Sequence, residues 1–325
     1  MEMKIDLTPL RDQTGLTRFI RFVPKAYMFN ANFRRFMAKY IPAVQSGTRK
    51  REALKSRGVR IPSFITASVV DRYTEYEAGQ GVRARPSEPG DQMSADEWRN
   101  IFEQCIELGI QMLVLMCGAS AARFDVLNIA AEYPQIIFPT VIDCSLLDAR
   151  FIDFLDQNRN ILPVLDITSS DDGEGIGSSE QLRKNEAILL SKKIAFGAYV
   201  FVKSENLDEV AQKSFVLKLK ERGYTNISYM EHVLTDNEKP DVLLSKSERK
   251  KFRSRIEELF DEFIQTFIIF LFVIDRNNMY QEEYVHINPN GDVESYFDLK
   301  NKNLRNDTML QAFEAIAEQR AAKEQ

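Results

Sequence analysis

The sequence predicts an α/β protein on a parallel sheet, a partial or full βα barrel. Three observations carry this expectation. From Ser63 onward, β-type runs alternate with helical patterns at roughly 25–35-residue spacing, the rhythm of βαβ units. A chain of 325 residues can bury a large core. Its composition, 44% hydrophobic and 28% charged with a net charge of -5, is that of an ordinary globular protein.

The elements follow in order. Residues from about Leu16 to Arg57 have helical patterning, with Phe19, Phe22, Tyr27, Phe29, Phe33, Phe36 and Tyr40 among Arg and Lys. Pro24 and Pro42 divide this stretch into two or three short helices. Strands are expected at Phe64–Val70, Met112–Met116, Ile136–Ile142, Ile161–Ile167, Ile194–Val202, Thr225–Val233 and Thr266–Ile274. Helices are expected at Ala95–Leu108, Leu147–Gln157, Ser179–Lys192, Leu207–Arg222 and Ser245–Phe263, the first opened by Ser94 and Glu97 at capping-box spacing. His286–Tyr296, with Asn-Pro-Asn-Gly at its centre, reads as a hairpin, and Asn303–Lys323 as a terminal helix. Gly81–Gln92 and Ser169–Ser179 read as flexible connections. Three segments result: a basic aromatic helical part over 1–60, the barrel over 61–280, and a hairpin-plus-helix extension over 281–325.

Several classes are disfavoured. MEMKIDLTPLRD has no apolar core of a secretory leader, and FIIFLFVI at Phe267–Ile274 is too short to span a bilayer. Cys105, Cys117 and Cys144 are odd in number and scattered, which suits a reducing compartment. The expectation is a cytoplasmic protein. Charge is uneven: Arg18–Arg60 holds twelve Lys or Arg against Glu52 alone, a local net of +11 that leaves -16 on the rest. Packing of this segment on the barrel is one reading. The others are docking to an acidic protein or to an anionic membrane surface. Nucleic acid is disfavoured by the acidic remainder.

The stretch IPSFITASVVDR, followed by Tyr73-Thr74-Glu75-Tyr76-Glu77-Ala78-Gly79-Gln80, carries a resemblance, together with Glu132–Asp148, Phe196–Leu217, His286–Glu294 and Asn303-Leu304-Arg305. In order and spacing these segments resemble the radical SAM family, in particular bacterial members with a cysteine-bearing C-terminal hairpin. The resemblance covers most of the chain. It implies a radical SAM-like partial βα (TIM-type) barrel with N-terminal helices and a small C-terminal extension. It also implies a [4Fe–4S] cluster on a Cys-x3-Cys-x2-Cys loop, with S-adenosylmethionine (SAM) bound at the open iron.

At the three implied ligand positions this chain has Tyr73, Glu77 and Gln80, none a thiolate. Where the family has Gly-Gly-Glu-Pro for the SAM amino group, the chain has Cys117-Gly118-Ala119-Ser120. The family's Asn-Gly after the third strand is Asp143-Cys144, and Thr168 and Ser169 follow Asp166 where a Glu is frequent. Where an Arg precedes Gly-x-Gly stands Asp172, which repels a carboxylate. Glu294-Ser295-Tyr296 replaces Glu-Pro-Cys in the tail. The departures predict that no cofactor is retained, cluster and SAM being lost together. They also predict a non-catalytic relative (a pseudoenzyme) that binds a ligand or a partner, such as an active radical SAM relative or another acidic protein met by the basic segment 18–60.

An enzyme with replaced chemistry is the alternative, using Glu77, Cys117, Asp143, Cys144 and Asp166 at the barrel mouth, with a metal on Cys117 and Cys144 as its weakest part. An active radical SAM enzyme is the third reading. Each sharp reading has a plain counterpart. Cys117 and Cys144 can be buried space-fillers, and Asp143 and Asp166 can cap neighbouring backbone. Gly173-x-Gly175-x-Gly177, among Asp171, Asp172 and Glu174, suits a turn better than a phosphate cradle. Glu231 is expected to point into the barrel with Tyr229, beside His232, but adjacent strand residues face opposite sides and weaken a Glu–His pair. His286 reads as structural.

Overall fold

The computed structural model describes residues 30–70, 91–116, 123–168, 176–231, 242–263, 268–272, 285–295 and 302–324. Among the described residues, nine strands form one curled sheet: β1 Phe64–Ala67, β2 Met112–Leu115, β3 Phe138–Ile142, β4 Ile161–Asp166, β5 Gly197–Val202, β6 Asn226–Glu231, β7 Ile268–Phe272, β8 Val285–Ile287 and β9 Val293–Ser295. Their order is β7-β6-β5-β4-β3-β2-β1-β8-β9, parallel from β7 to β8, with β9 antiparallel at the edge. This is the expected half barrel.

The helices are α1 Ala31–Lys55, α2 Ala95–Leu108, α3 Phe124–Ala131, α4 Ala149–Gln157, α5 Glu180–Ser191, α6 Leu207–Val210, α7 Lys213–Glu221, α8 Lys246–Phe263 and α9 Met309–Glu324. The Ser94–Glu97 capping box forms as expected, and Gly109 closes α2 in the left-handed conformation at φ +80°. The expected Leu207–Arg222 helix is two, α6 and α7, broken at Ala211 and Gln212. Helix α3 escapes sequence patterning because it is only eight residues long, with Val126, Leu127, Ile129 and Ala130 buried and only Asp125 and Asn128 exposed, too short a run to show a period.

Strands buried on both faces separate the core into two layers. Outward residues such as Ile65, Ala67, Leu113, Leu115, Leu165, Val200 and Ile227 pack under the helices. Inward residues Val114, Met116, Val141, Val164, Tyr199, Phe201 and Met230 fill the concave side. The two sets alternate along each strand, as the pleat requires.

Helix α1 closes the amino end of this half barrel. Phe33, Phe36, Met37, Tyr40 and Val44 bury against Ile137, Leu162 and Ala195, which lie at the starts of β3, β4 and β5. Each such side chain contributes about 1.5–3 kcal/mol on burial. Polar contacts fix the helix in place. Tyr40 donates to Gln111 O at 3.3 Å, Gln111 Nε2 to Val44 O at 2.6 Å, and Lys50 Nζ to Ile106 O at 2.8 Å. Arg51 donates to Gly109 O, and Asn32 Nδ2 to Asp156 O at 2.9 Å.

Contrary to the expected break, α1 runs through Pro42 as one helix of 25 residues. Pro42 and Ala38, whose carbonyl loses its helical donor, both lie on the exposed side, where water can satisfy it. The β8–β9 hairpin is continuous with the sheet: Thr66 pairs with His286, Ala67 with Ile287, and Ser68 N donates to Ile287 O at 2.9 Å. Its turn uses Gly291 at φ +93° and is held by Asn303, which donates to Asp292 Oδ1 at 2.8 Å and Asn290 O at 3.1 Å.

Helix α1 approaches the α2–β2 turn so closely that a Cβ on Gly109 would stand 2.8 Å from Gly47 Cα, and one on Gly47 would stand 3.0 Å from Gly109 O. Gly58 has φ +87° but open space around it. Gly109→Ala therefore adds a backbone clash to the left-handed strain and is expected to cost about 2–4 kcal/mol, against about 1 kcal/mol for Gly58→Ala. Thermal unfolding of the two variants, followed by circular dichroism, measures the difference; equal melting temperatures would refute the close packing.

Candidate functional site

The concave face opens at the carboxyl ends of the strands, where ligand sites of such sheets form. Its floor is α1 and its wall changes character around the curl. From β2 to β6 the wall is apolar: Val114, Met116, Val141, Val164, Tyr199, Phe201 and Met230, with Tyr199 and Phe201 edge-to-face at 5.0 Å. On β1 and β8 it is polar. Ile65, Ala67 and Val69 face the helices, so Thr66 and Ser68 face inward, beside His286.

These three side chains are buried and bonded together. Thr66 Oγ1 lies 2.8 Å from His286 Nδ1 and 3.3 Å from Val285 O, and Ser68 Oγ lies 3.2 Å from His286 Nε2. The Thr66 proton goes to Val285 O, so Thr66 accepts from Nδ1–H and leaves Nε2 to accept from the Ser68 hydroxyl, a tautomer assigned from these partners. Burial drives the imidazole pKa down to about 4, opposed by Glu294, its cross-strand partner on β9. Glu294 Oε1 in turn accepts from Asn288 Nδ2 at 2.9 Å. Sequence reasoning did not single out Thr66 and Ser68; two hydroxyls at alternate positions in the apolar run FITAS were the available signal.

Of the site residues expected from sequence, Asp143, Cys144 and Asp166 are described. Asp143 is half-buried and accepts from Ser145 N at 2.7 Å, opening a short 3-10 turn. Asp166 ends β4, is buried, and accepts from Thr168 N at 2.9 Å. Thr168 Oγ1 accepts from Phe201 N at 2.8 Å. Cys144 packs in the helix-side core: its Sγ contacts Asp166 O at 3.9 Å, and its carbonyl accepts from Asn185 Nδ2 of α5 at 2.9 Å. The chain thus brings Asp143 and Asp166 toward one rim and places the Cys144 thiol in the layer beneath α5.

Tyr73, Glu77, Gln80, Cys117, Gly118, Ala119, Ser120, Asp172, Gly173, Gly175, His232 and Tyr296 lie outside the described residues. Cys105 is buried in the core, where burial pushes its thiol pKa well up. Among the described residues, no group of three His, Cys, Asp or Glu is placed to hold a metal ion. The expected inward Tyr229 and Glu231 are corrected. Tyr229 packs on Phe252 of α8 and donates to Val210 O at 2.7 Å, and Arg249 of α8 donates to Glu231 at 2.6 Å. Both therefore face the helices, because β6 pairs with β5 in a register that turns Ser228 and Met230 inward.

At the rim of β1, Arg123 donates to Val69 O at 2.9 Å and to Met93 O at 3.1 Å, and pairs with Asp125. Arg305 pairs with Asp91 and Glu97. One guanidinium thus ties the departing end of β1 to the entry of α2.

Stability is expected to track the His286 proton. Its folded pKa lies below the ordinary 6.5, so the contribution is complete above about pH 6.5 and is lost as the pH falls toward 4. The full loss is about 3 kcal/mol. Urea titrations between pH 4 and 7 on the native chain and on His286→Gln measure it; an unchanged pH slope in the variant would remove His286 as its source.

No family model matches the chain, and no curated protein matches it by sequence. Solved structures do. The Streptococcus suis SuiB structure bound to S-adenosylmethionine is 14% identical, with a TM-score of 0.58 over 83% of this chain and 67% of that one. SuiB bound to precursor peptide SuiA is 13% identical, at 0.58 over 83% and 68%. Native anSMEcpe with bound AdoMet and Kp18Cys peptide is 12% identical, at 0.52 over 77% and 80%. The expectation that cofactors have been given up is corrected by these findings, since the matching folds include structures with SAM in place. Among the described residues no helix is long and apolar enough to cross a membrane. The fold is the partial βα barrel of the radical SAM enzymes.

Proposed function

We propose that this chain is a binding protein on the radical SAM-type half barrel, taking SAM and a peptide at the carboxyl mouth without cleaving the SAM. The observation that carries this reading is the pairing of two rim carboxylates, Asp143 and Asp166, with an apolar shelf of Met116, Phe201 and Met230. SAM has a sulfonium, an ammonium and an adenine ring; the carboxylates suit its cations and the shelf its ring. At the three positions where the resembled family carries cluster thiolates, this chain has Tyr73, Glu77 and Gln80, which supports binding without reductive cleavage. SuiB and anSMEcpe are solved with peptides, which supports a peptide as the second occupant. Both carboxylates accept hydrogen bonds from backbone N–H groups, which fixes their orientation at the rim.

An acidic protein is the partner proposed for the basic segment, an active relative included. The apolar side of α1 is spent on the barrel floor, so its outward Arg35, Lys39 and Arg49 act by charge alone. For α1 itself, the same fact makes electrostatic attraction the main term toward an anionic membrane surface.

Equilibrium dialysis with SAM is expected to show saturable binding. Asp166→Asn should weaken it about tenfold, since it keeps the Thr168 contact and removes the charge. Absence of binding overturns the reading, and so does release of 5′-deoxyadenosine under anaerobic reduction. For the partner, deletion of α1 would open the barrel floor and is not a clean test. Arg35→Glu, Lys39→Glu and Arg49→Glu together are expected to abolish capture of an acidic protein in low salt while leaving the melting temperature within a few degrees. Capture that persists in the triple variant refutes the basic docking face.

A further inference from the structure

We propose that Ser68 is a nucleophile served by His286, forming an inner-face dyad that accepts an acyl group from a small activated ester. The inference rests on residues other than the rim carboxylates and goes beyond SAM and peptide binding.

The geometry has three parts. Ser68 Oγ lies 3.2 Å from His286 Nε2, within hydrogen-bond reach of the base. The opposite ring nitrogen, Nδ1, lies 2.8 Å from Thr66 Oγ1, whose own proton is directed to Val285 O, so the ring is oriented with Nε2 toward the serine. Two strands hold the group rigidly: Thr66 and Ser68 belong to β1 and its extension, and His286 to β8, joined by the Thr66–His286 pairing and the Ser68 N to Ile287 O bond. Nucleophile, base and orienting group thus stand in the relation that acyl-transfer sites require.

Burial keeps His286 neutral near pH 7, as a base must be. It also makes the imidazolium costly, and the Glu294 carboxylate beside it on β9 offsets part of that cost as the proton arrives. In the reaction, the Ser68 hydroxyl oxygen bonds the acyl carbon and its proton passes to Nε2. The carbon–oxygen bond to the leaving alcohol breaks, and that alcohol takes the proton from Nε2. Water then repeats the sequence and releases the acid. Ser68 is only 3% exposed and faces the lumen, so the acyl group must enter through the mouth.

Treatment of the full-length native protein with diisopropyl fluorophosphate tests the dyad. The expected result is one diisopropylphosphoryl group, located on Ser68 by peptide mapping, with fluoride released and no adduct in Ser68→Ala. His286→Gln is expected to slow labelling by on the order of 100-fold or more. Thr66→Val should leave the serine reactive but shift the pH profile of p-nitrophenyl acetate hydrolysis, a change that a merely structural role would not produce. Mapping on the native chain needs no variant to fold, and circular dichroism checks those that are used. Absence of an adduct on Ser68 overturns the proposal, as does labelling at equal rate in folded His286→Gln. A positive result makes the chain an enzyme of replaced chemistry, whatever its affinity for SAM.

Discussion

A curled parallel sheet has a hollow side, and that side is stable only if its amino end is stopped. Here α1 supplies the stopper. Its aromatic stripe meets Ile137 just before β3, Leu162 near the start of β4 and Ala195 two residues before β5, and its polar contacts reach Gln111 before β2 and Asp156 at the end of α4. Two glycines set the spacing, because Gly47 and Gly109 bring the helix backbone against the left-handed end of α2. The inner residues can then be apolar down to the floor, and the site is confined to the other end. Position of the ligand mouth is therefore a consequence of how the amino end is sealed.

The same constraint changes how the charge distribution is understood. A segment rich in Arg, Lys and Phe invites a membrane reading when seen as sequence. Packing divides its residues by role instead: Phe33, Phe36, Tyr40 and Val44 belong to the core, and Arg51 to a carbonyl of the α2–β2 turn. On the outer side of the described helix, Arg35, Lys39 and Arg49 stand exposed beside Ile41. That surface can attract an anionic partner by charge.

Much of the fold was legible because both faces of each strand are covered. Apolar runs such as ILPVLD at Ile161–Asp166 and GAYVFV at Gly197–Val202 carry no alternation, but their length and spacing mark them as buried parallel strands. Helix α3 was hidden because it is short and mostly apolar, with only Asp125 and Asn128 exposed. The β8–β9 hairpin was legible as a hairpin, through its Asn-Pro-Asn-Gly turn, but nothing local in Val285–Ile287 announces that β1 is its parallel neighbour. The site was less legible still. Asp143 and Asp166 could be placed at strand ends, yet which way Cys144 and Tyr229 turn depends on register, and a one-residue slip reverses it. Thr66 and Ser68 acquire meaning only once His286, more than two hundred residues later, is laid beside them.

The hollow that results is two-sided. One wall, from β2 to β6, offers thioethers and aromatic rings that can accept almost any apolar shape. The other, at β1 and β8, is a single hydrogen-bonded group with fixed directions. A ligand entering such a space gains contact area from the first wall and orientation from the second. The polar side is also the side where the tail of the chain returns to the sheet, so its geometry depends on β8 being paired. Loosening of the hairpin would carry His286 away from Ser68 and Thr66 while leaving the apolar wall intact. Orientation inside the mouth is thus tied to the carboxyl-terminal part of the chain, and shape complementarity to the central strands.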